Sequence, residues 1–472
     1  MERIAKIIVI ISICLFNNSC KKDFLVTPPG NLLIREEYVN NLTTLSEYLN
    51  GIYVQLLRNY ATATYVTYPE MAGDNIKPVV TNPTNLEYYR WNQKADEGSS
   101  SSNVNMNSLY SQLYRMISNC NFAIEKADEF KNESLSKSND LKGQALFIRA
   151  FAHHTLVCIF AQAYNYSNGG IHPGIIYAKS FDWKHANSKR SSVAEVYKEI
   201  INDLQDAANL LPENTGNTNT ISRNATFALL SRVNLYKDDY DATITFAKDV
   251  IVKVPLMINN YPDRLFTNQD SEALFQIMPN EQVSGTIAGF QFQDPPYLQY
   301  TASNDIADLL NERPGDARKK WVTRKNSNWY ITKFPLGVIP GFSFPANSYF
   351  TTVLRSSELY LNLAEAYWNK GSAFEDNARE YLDMIRKRAD PTATSTTATG
   401  AALLDAIYKE RRKELAFESQ RLFDLKRWKK SILRSDPLVP EASQLTYPDY
   451  RYVAPIPSSD VILLGIPQNT GF

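Results

Sequence analysis

The pattern of apolar positions predicts a pair of helices between residues 221 and 252. This stretch reads ISRNATFALLSRVNLYKDDYDATITFAKDVIV. Apolar and small residues recur there every three or four positions on both sides of a polar turn at 237–239, which is the spacing of a buried helix face. Small residues such as Ala228 and Ala242 allow a close approach of the two helices. The pattern is typical of a tetratricopeptide hairpin, which needs neighbouring helices to cover its apolar face.

Helical periodicity also occurs on both sides of this hairpin. The segments are 42–58, 104–130, 139–163, 193–211, 357–369, 374–388 and 402–419. The helical periodicity is interrupted in two zones, 60–103 and 254–355, which are rich in Pro, Gly, Asn and aromatic residues. Short runs such as 273–278 and 329–334 resemble strands. We therefore predict an all-α dominated fold, a tetratricopeptide-like helical hairpin scaffold with long irregular loop regions and a few short strands. Long loops on a rigid scaffold often carry function.

The first twenty residues have the pattern of a bacterial export signal. Two basic residues precede an apolar run of about ten residues, which is too short to span a bilayer and suits a signal peptide. A small residue precedes Cys20, as in lipoprotein signals, although Asn17 departs from that pattern. An ordinary signal that is cut elsewhere is the alternative. We predict a lipoprotein signal peptide over 1–19, lipidation of Cys20 and a lipid-anchored tether over 20–38.

Composition and motifs argue against several classes of function. The 50 basic and 50 acidic side chains give a formal net charge of zero, which argues against a nucleic-acid partner because such proteins need a clustered basic face. Motifs of zinc proteases, serine hydrolases and nucleotide-binding loops do not occur. His153 and His154 point about 100° apart on a helix and make a poor chelating pair. We expect neither a metal nor a cofactor. Cys120 and Cys158 could be free buried thiols or one disulfide.

The segment 407–428 carries the densest motif, IYKERRKELAFESQRLFDLKRW. Its mixed charges predict, by themselves, a surface ion-pair network. The pattern I..ER..ELAFE..R..DL.RW resembles the signature of the SusD/RagB family of outer-membrane lipoproteins. The matching residues are Ile407, Glu410, Arg411, Glu414, Leu415, Ala416, Phe417, Glu418, Arg421, Asp424, Leu425, Arg427 and Trp428. Segments 149–157, 354–366 and 455–472 also resemble this family, in its order, although residues 161–162 replace its usual glycines.

This resemblance implies a fold, a location and a function. Residues 39–472 would form a single SusD-like domain, with helical hairpins over about 104–252 and 356–428 and variable loop regions over about 60–103 and 254–355. The protein would sit outside the outer membrane, held by its lipid anchor, and would bind glycans without being an enzyme. It would deliver them to a SusC-like TonB-dependent transporter. Two alternatives stay open: a peptide-binding lipoprotein of the same architecture and a glycoside hydrolase, which needs a pair of carboxylates across a cleft.

Ligand contacts are predicted among aromatic and polar residues of the two loop zones and of a further loop at 164–190. Aromatic rings stack on the C–H face of a sugar, and polar side chains bond its hydroxyl rim. Trp91 ranks first because it ends an aromatic run and a Gly-Ser run follows. The predicted set is Trp91, Tyr89, Arg90, Asp74, Asn75, Trp183, Tyr297, Tyr300, Trp321 and Trp329. The Asp-Asn pair could instead form a turn. Trp368 and Trp428 are assigned to packing.

Overall fold

A computed structural model describes most of the chain after the predicted tether. The described residues are 35–61, 64–79, 83–95, 106–182, 189–214, 216–278, 299–334 and 349–472. The predicted signal peptide and Cys20 lie outside them, so the lipid anchor stays a prediction.

The described elements are mostly helices, with eight short strands among these residues. The helices are α1 (Arg35–Tyr38), α2 (Leu42–Ala61), α3 (Thr64–Ala72), α4 (Pro83–Tyr89), α5 (Met106–Glu129), α6 (Leu135–Phe160), α7 (Val193–Leu210), α8 (Arg223–Tyr236), α9 (Tyr240–Ile251), α10 (Asn304–Asn311), α11 (Ser356–Asn369), α12 (Glu375–Ala389), α13 (Gly400–Glu414), α14 (Arg421–Arg427) and α15 (Ser458–Leu464). The strands are β1 (Ile76–Pro78), β2 (Ala273–Ile277), β3 (Tyr300–Ala302), β4 (Val322–Lys325), β5 (Asn328–Ile331), β6 (Thr351–Arg355), β7 (Ile432–Leu433) and β8 (Gln444–Leu445).

Consecutive helices pair as hairpins and stack in chain order. The pairs are α5 with α6, α8 with α9 and α11 with α12, while α7 packs between α6 and α8. Helix α9 packs directly against α11, although about a hundred residues separate them in the chain. The predicted helix-rich hairpin fold with few short strands is confirmed. The tetratricopeptide assignment of the individual hairpins stays a prediction.

Local sequence signals fix where several helices begin. Ser192 caps α7 in a capping box, in which its hydroxyl accepts from the Glu195 N–H and the Glu195 carboxylate accepts from the Ser192 N–H, as expected for a Ser at this position followed by a Glu. Asp239 caps α9 by accepting from the Ala242 N–H. Asp238, at φ 63°, makes the left-handed bend between α8 and α9. These contacts explain why the pattern at 221–252 folds as a hairpin.

Helix α6 lies at the centre of the hydrophobic core. Among the described residues, only the segment Leu135–Tyr166 is long and apolar enough to cross a membrane, and its most apolar stretch is entirely buried inside the protein. A helix that is apolar on all sides is suited to the centre of a large core. Cys120 and Cys158 are free thiols buried in this core, so the disulfide alternative is wrong.

Two segments differ from the sequence prediction. The zone 60–103, expected to be mostly loop, contains α3, β1 and α4. Residues 65–72 of α3 are all buried, so this helix has no amphipathic pattern that a sequence could display. The helix expected over 402–419 ends at Glu414, because Phe417 (φ 68°) and Ser419 (φ 66°) adopt left-handed conformations in the turn that follows.

The charged motif at 407–428 is buried instead of forming the expected surface network. Glu414 is fully buried and accepts hydrogen bonds from Arg355 (2.7 Å), Arg388 (2.8 Å) and Arg318 (3.1 Å). Burial alone raises the pKa of the Glu414 carboxyl, but the three guanidinium groups reverse this and hold the pKa well below its usual range. These partners come from residues 26 to 96 positions away, so the surface prediction, made from local charge spacing, is wrong.

Candidate functional site

Most of the predicted ligand residues gather around one four-stranded antiparallel sheet. Its strand order is β1–β3–β5–β4. Ile76 pairs with Ala302, and Ala302 pairs with Trp329, so β3 joins strands that are more than two hundred residues apart in the chain. Asp74 and Asn75 immediately precede β1. The sheet therefore brings both predicted loop zones together at one place on the helical scaffold.

The hairpin of β4 and β5 presents the exposed part of this sheet. Lys325 pairs with Asn328 across a two-residue turn, in which Asn326 adopts φ 54°. Trp329 is partly exposed and packs its remaining surface on the core. Arg324 lies opposite Trp329 in the register, with its guanidinium 5.6 Å from the indole centroid. This hairpin combines an aromatic surface with a cation, both of which could contact a polyhydroxylated ligand.

Trp91 and Tyr89 lie in the core, not on the surface. Each ring is about 1% exposed, and the Trp91 indole N–H donates to the Ala72 carbonyl at 2.7 Å. The guanidinium of Arg434 lies 4.0 Å from the Tyr89 ring and 4.2 Å from the Trp91 ring. It also donates to the carbonyls of four residues, including Gly73 at 2.7 Å. Arg434, which no sequence motif indicated, holds the two rings in place.

Asp74 forms a buried ion pair instead of a free polar contact. Both of its carboxylate oxygens accept from Arg421, at 2.5 and 2.8 Å, and Arg412 lies 3.3 Å away. Burial raises the pKa of the Asp74 carboxyl, but the two arginines outweigh it and lower the pKa to about 2. The neighbouring Asn75 donates to Glu70 at 2.7 Å and accepts from Arg412 at 3.0 Å. These side chains tie β1 to α13 and α14. Asp74 does lie in a turn between α3 and β1, as the alternative expected, but its side chain bonds Arg421 in place of nearby backbone.

Tyr300 and Trp321 are also buried. Tyr300 is fully enclosed within β3. The ammonium of Lys333 lies 3.9 Å from the Trp321 ring centroid, and burial lowers the pKa of Lys333 to about 8 against the opposing effect of Glu418. Arg90 is partly exposed and is paired with Glu87 and Glu441. Its guanidinium therefore lies at the surface but is already engaged.

The placement divides the predicted residues into three groups. Asp74 borders a groove beside the sheet but is held in its ion pair. Six predicted side chains, Asp74 among them, are buried, and we correct their predicted role from ligand contact to support of the sheet. These are Trp91, Tyr89, Asp74, Asn75, Tyr300 and Trp321. Trp329 and Arg90 reach the surface. Trp183 and Tyr297 lie outside the described residues. Ligand contact by Trp329, Arg90, Trp183 and Tyr297 stays a prediction.

Comparison with known proteins finds related family models over most of the chain. A family model described as starch-binding associating with outer membrane matches residues 24–235, and a model of the SusD family matches residues 266–461. A curated relative, SusD-like protein P2 of Formosa agariphila, is 23% identical, with 94% of this chain and 95% of the relative covered. The two family models together match most of the sequence.

Solved structures share the fold at somewhat higher identity. One, described as a putative sugar binding protein from Bacteroides vulgatus, is 28% identical with a TM-score of 0.80, covering 92% of this chain and 99% of that one. A SusD superfamily protein from Bacteroides thetaiotaomicron is 27% identical with a TM-score of 0.81, covering 91% and 100%. The chain belongs to the SusD/RagB family.

Proposed function

We propose that this protein is a cell-surface glycan-binding lipoprotein that captures an oligosaccharide or polysaccharide and passes it to a SusC-like TonB-dependent transporter. The observation that carries the proposal is the match, over nearly the full length of both chains, to a structure described as a putative sugar binding protein. The exposed tryptophan on the β4–β5 hairpin supports the same function. The lipid anchor at Cys20 would hold the protein at the outer membrane.

The hairpin supplies the two kinds of contact that a sugar requires. The indole of Trp329 offers an apolar surface for the C–H face of a pyranose ring, and its packing on the core limits the entropy lost on binding. Arg324 and the partly exposed Asn328 can donate hydrogen bonds to hydroxyl groups. The buried residues beneath, including the Asp74 ion pair, hold the sheet in a fixed shape. The proposed role is therefore binding on a rigid support, without catalysis.

The test is an affinity screen of the mature chain without its lipid, residues 21–472, against polysaccharides and peptides. We expect saturable binding of at least one glycan and recovery of that glycan unchanged after prolonged incubation. Binding of peptides alone would favour the peptide-binding alternative. Release of shorter sugars would favour a glycoside hydrolase. Co-purification with a SusC-like transporter from the native outer membrane tests the partner separately.

A further inference from the structure

A groove lies beside the sheet, between α10, α13 and α14. It has a volume of about 440 Å³, within the range of about 300–1,000 Å³ that is common for small-molecule sites. Asp305, in the first turn of α10 immediately after β3, forms part of its wall, as does Asp74 before β1. The groove therefore adjoins the sheet but does not include the β4–β5 hairpin.

A stacked aromatic pair forms one side of this groove. The rings of Tyr408 and Trp428 have centroids 3.8 Å apart and an interplanar angle of 20°. The Trp428 indole N–H donates to the Glu365 carboxylate at 2.8 Å, which fixes the orientation of the pair. Tyr408 is half-buried, and across the described parts of the chain no second ring or cation lies over it. The pair is thus a preorganised aromatic platform that lines the open groove.

A weakly held pair of opposite charges forms the rim. Asp405 and Lys430 are 70% and 52% exposed, with their charged atoms 3.6 Å apart. This contact is an ion pair but too long and too exposed to contribute much stability. By contrast, Asp74 at the base is held by two arginines. The rim carboxylate can accept a hydrogen bond and the rim ammonium can donate one. A sugar hydroxyl can both donate and accept, so it can bond either group.

We propose that the α10–α13–α14 groove binds one pyranose ring of the same glycan, as a second subsite beside the Trp329 hairpin. The ring contacts Tyr408, whose back is supported by Trp428, while Asp405 and Lys430 bond its hydroxyl groups. This inference rests on the proposed glycan-binding function. It also gives Trp428 a second role, as support for a binding surface, in addition to the packing role expected from the sequence.

Isothermal titration calorimetry with defined hexaoses tests the subsite. The probes are the hexaoses of α-1,4-glucan, β-1,4-glucan, β-1,4-mannan, β-1,4-galactan and β-1,4-xylan, and the tightest-binding one is carried forward. We expect Tyr408→Ala to raise its Kd at least fivefold, whereas Tyr408→Phe, which keeps the ring, stays within twofold. The rim variant Asp405→Asn/Lys430→Gln should raise the Kd at least threefold without changing the melting temperature.

A matched control is the ion pair between Asp249 on α9 and Lys253 just beyond its end, with charged atoms 2.8 Å apart. Its double variant Asp249→Asn/Lys253→Gln should leave the Kd unchanged. An unchanged Kd in folded Tyr408→Ala or in the rim variant overturns the subsite and leaves the proposed function intact. If Tyr408→Ala does not fold, the Kd of the rim variant alone tests the subsite. If neither these hexaoses nor any glycan of the wider screen binds the unmodified protein, the glycan-binding function itself is contradicted, and the subsite with it. A glycan found only by the screen replaces the hexaose in the same comparison.

Discussion

Replacement of Trp91 by alanine should destabilise the protein. The side chain is 1% exposed, its N–H bonds the Ala72 carbonyl at 2.7 Å, and its ring packs on the Arg434 guanidinium. Truncation of a buried Trp to Ala typically costs about 3–5 kcal/mol, because burial is lost and a cavity remains. For a chain of 472 residues, an unfolding entropy of about 1 kcal/mol per kelvin converts this to a fall in melting temperature of roughly 3–5 °C. Differential scanning calorimetry of the parent and Trp91→Ala proteins measures this fall in melting temperature.

The matched control is Trp329→Ala, at the partly exposed tryptophan of the β4–β5 hairpin. Partly exposed positions lose less on truncation, so its melting temperature should fall by no more than about 1 °C. From the sequence alone, Trp91 would be the surface residue whose loss affects binding and not stability. A Trp91→Ala protein that melts within about 1 °C of the parent would refute the burial argument.

Three further predictions concern the ion pairs and the anchor. Glu414→Gln should lower stability by about 3–5 kcal/mol in denaturant unfolding, because three buried guanidinium groups lose their carboxylate. Because folding lowers the pKa of Asp74 to about 2, its ionised form contributes about 2 kcal/mol to the free energy of unfolding. This contribution is present above the unfolded pKa near 4 and is lost as the pH falls toward 2. Asp74→Asn should therefore reduce the dependence of stability on pH between about 4 and 2, as measured by acid unfolding. Cys20→Ala should move the protein from the detergent phase to the aqueous phase, and a variant that stays in detergent contradicts the lipid anchor.

The sequence predicted the scaffold because helix pairing is a local property. The positions of the two helices at 221–252 are set by contacts between neighbouring turns and by a cap at Asp239, and such signals can be read from the spacing of apolar residues. Helix α3 was not predicted because its residues 65–72 are all buried. An element without a solvent face shows no alternation of polar and apolar positions.

The candidate site was only partly predictable, because burial there depends on distant residues. The zones around Trp91 and Trp329 were identified from their aromatic content, and the sheet brings them together. Nothing near Trp91 in the sequence indicates that Arg434 will cover its ring. Likewise, the partner of Asp74 is Arg421, 347 positions away. Such pairings are set by the fold, so a single sequence does not show which aromatic side chains are buried and which are exposed.

The central claim is that glycan binding occurs at the exposed hairpin of the sheet. Its most direct test is the Kd of the glycan found by screening, measured for the parent protein, Trp329→Ala and Trp368→Ala. Trp368 is also partly exposed, but it lies on the helical scaffold and donates to the Gly400 carbonyl at 2.8 Å. We predict that Trp329→Ala weakens binding at least fivefold, as expected when an aromatic contact worth more than about 1 kcal/mol is lost, while Trp368→Ala leaves the Kd unchanged. Equal affinities in all three proteins would contradict the claim.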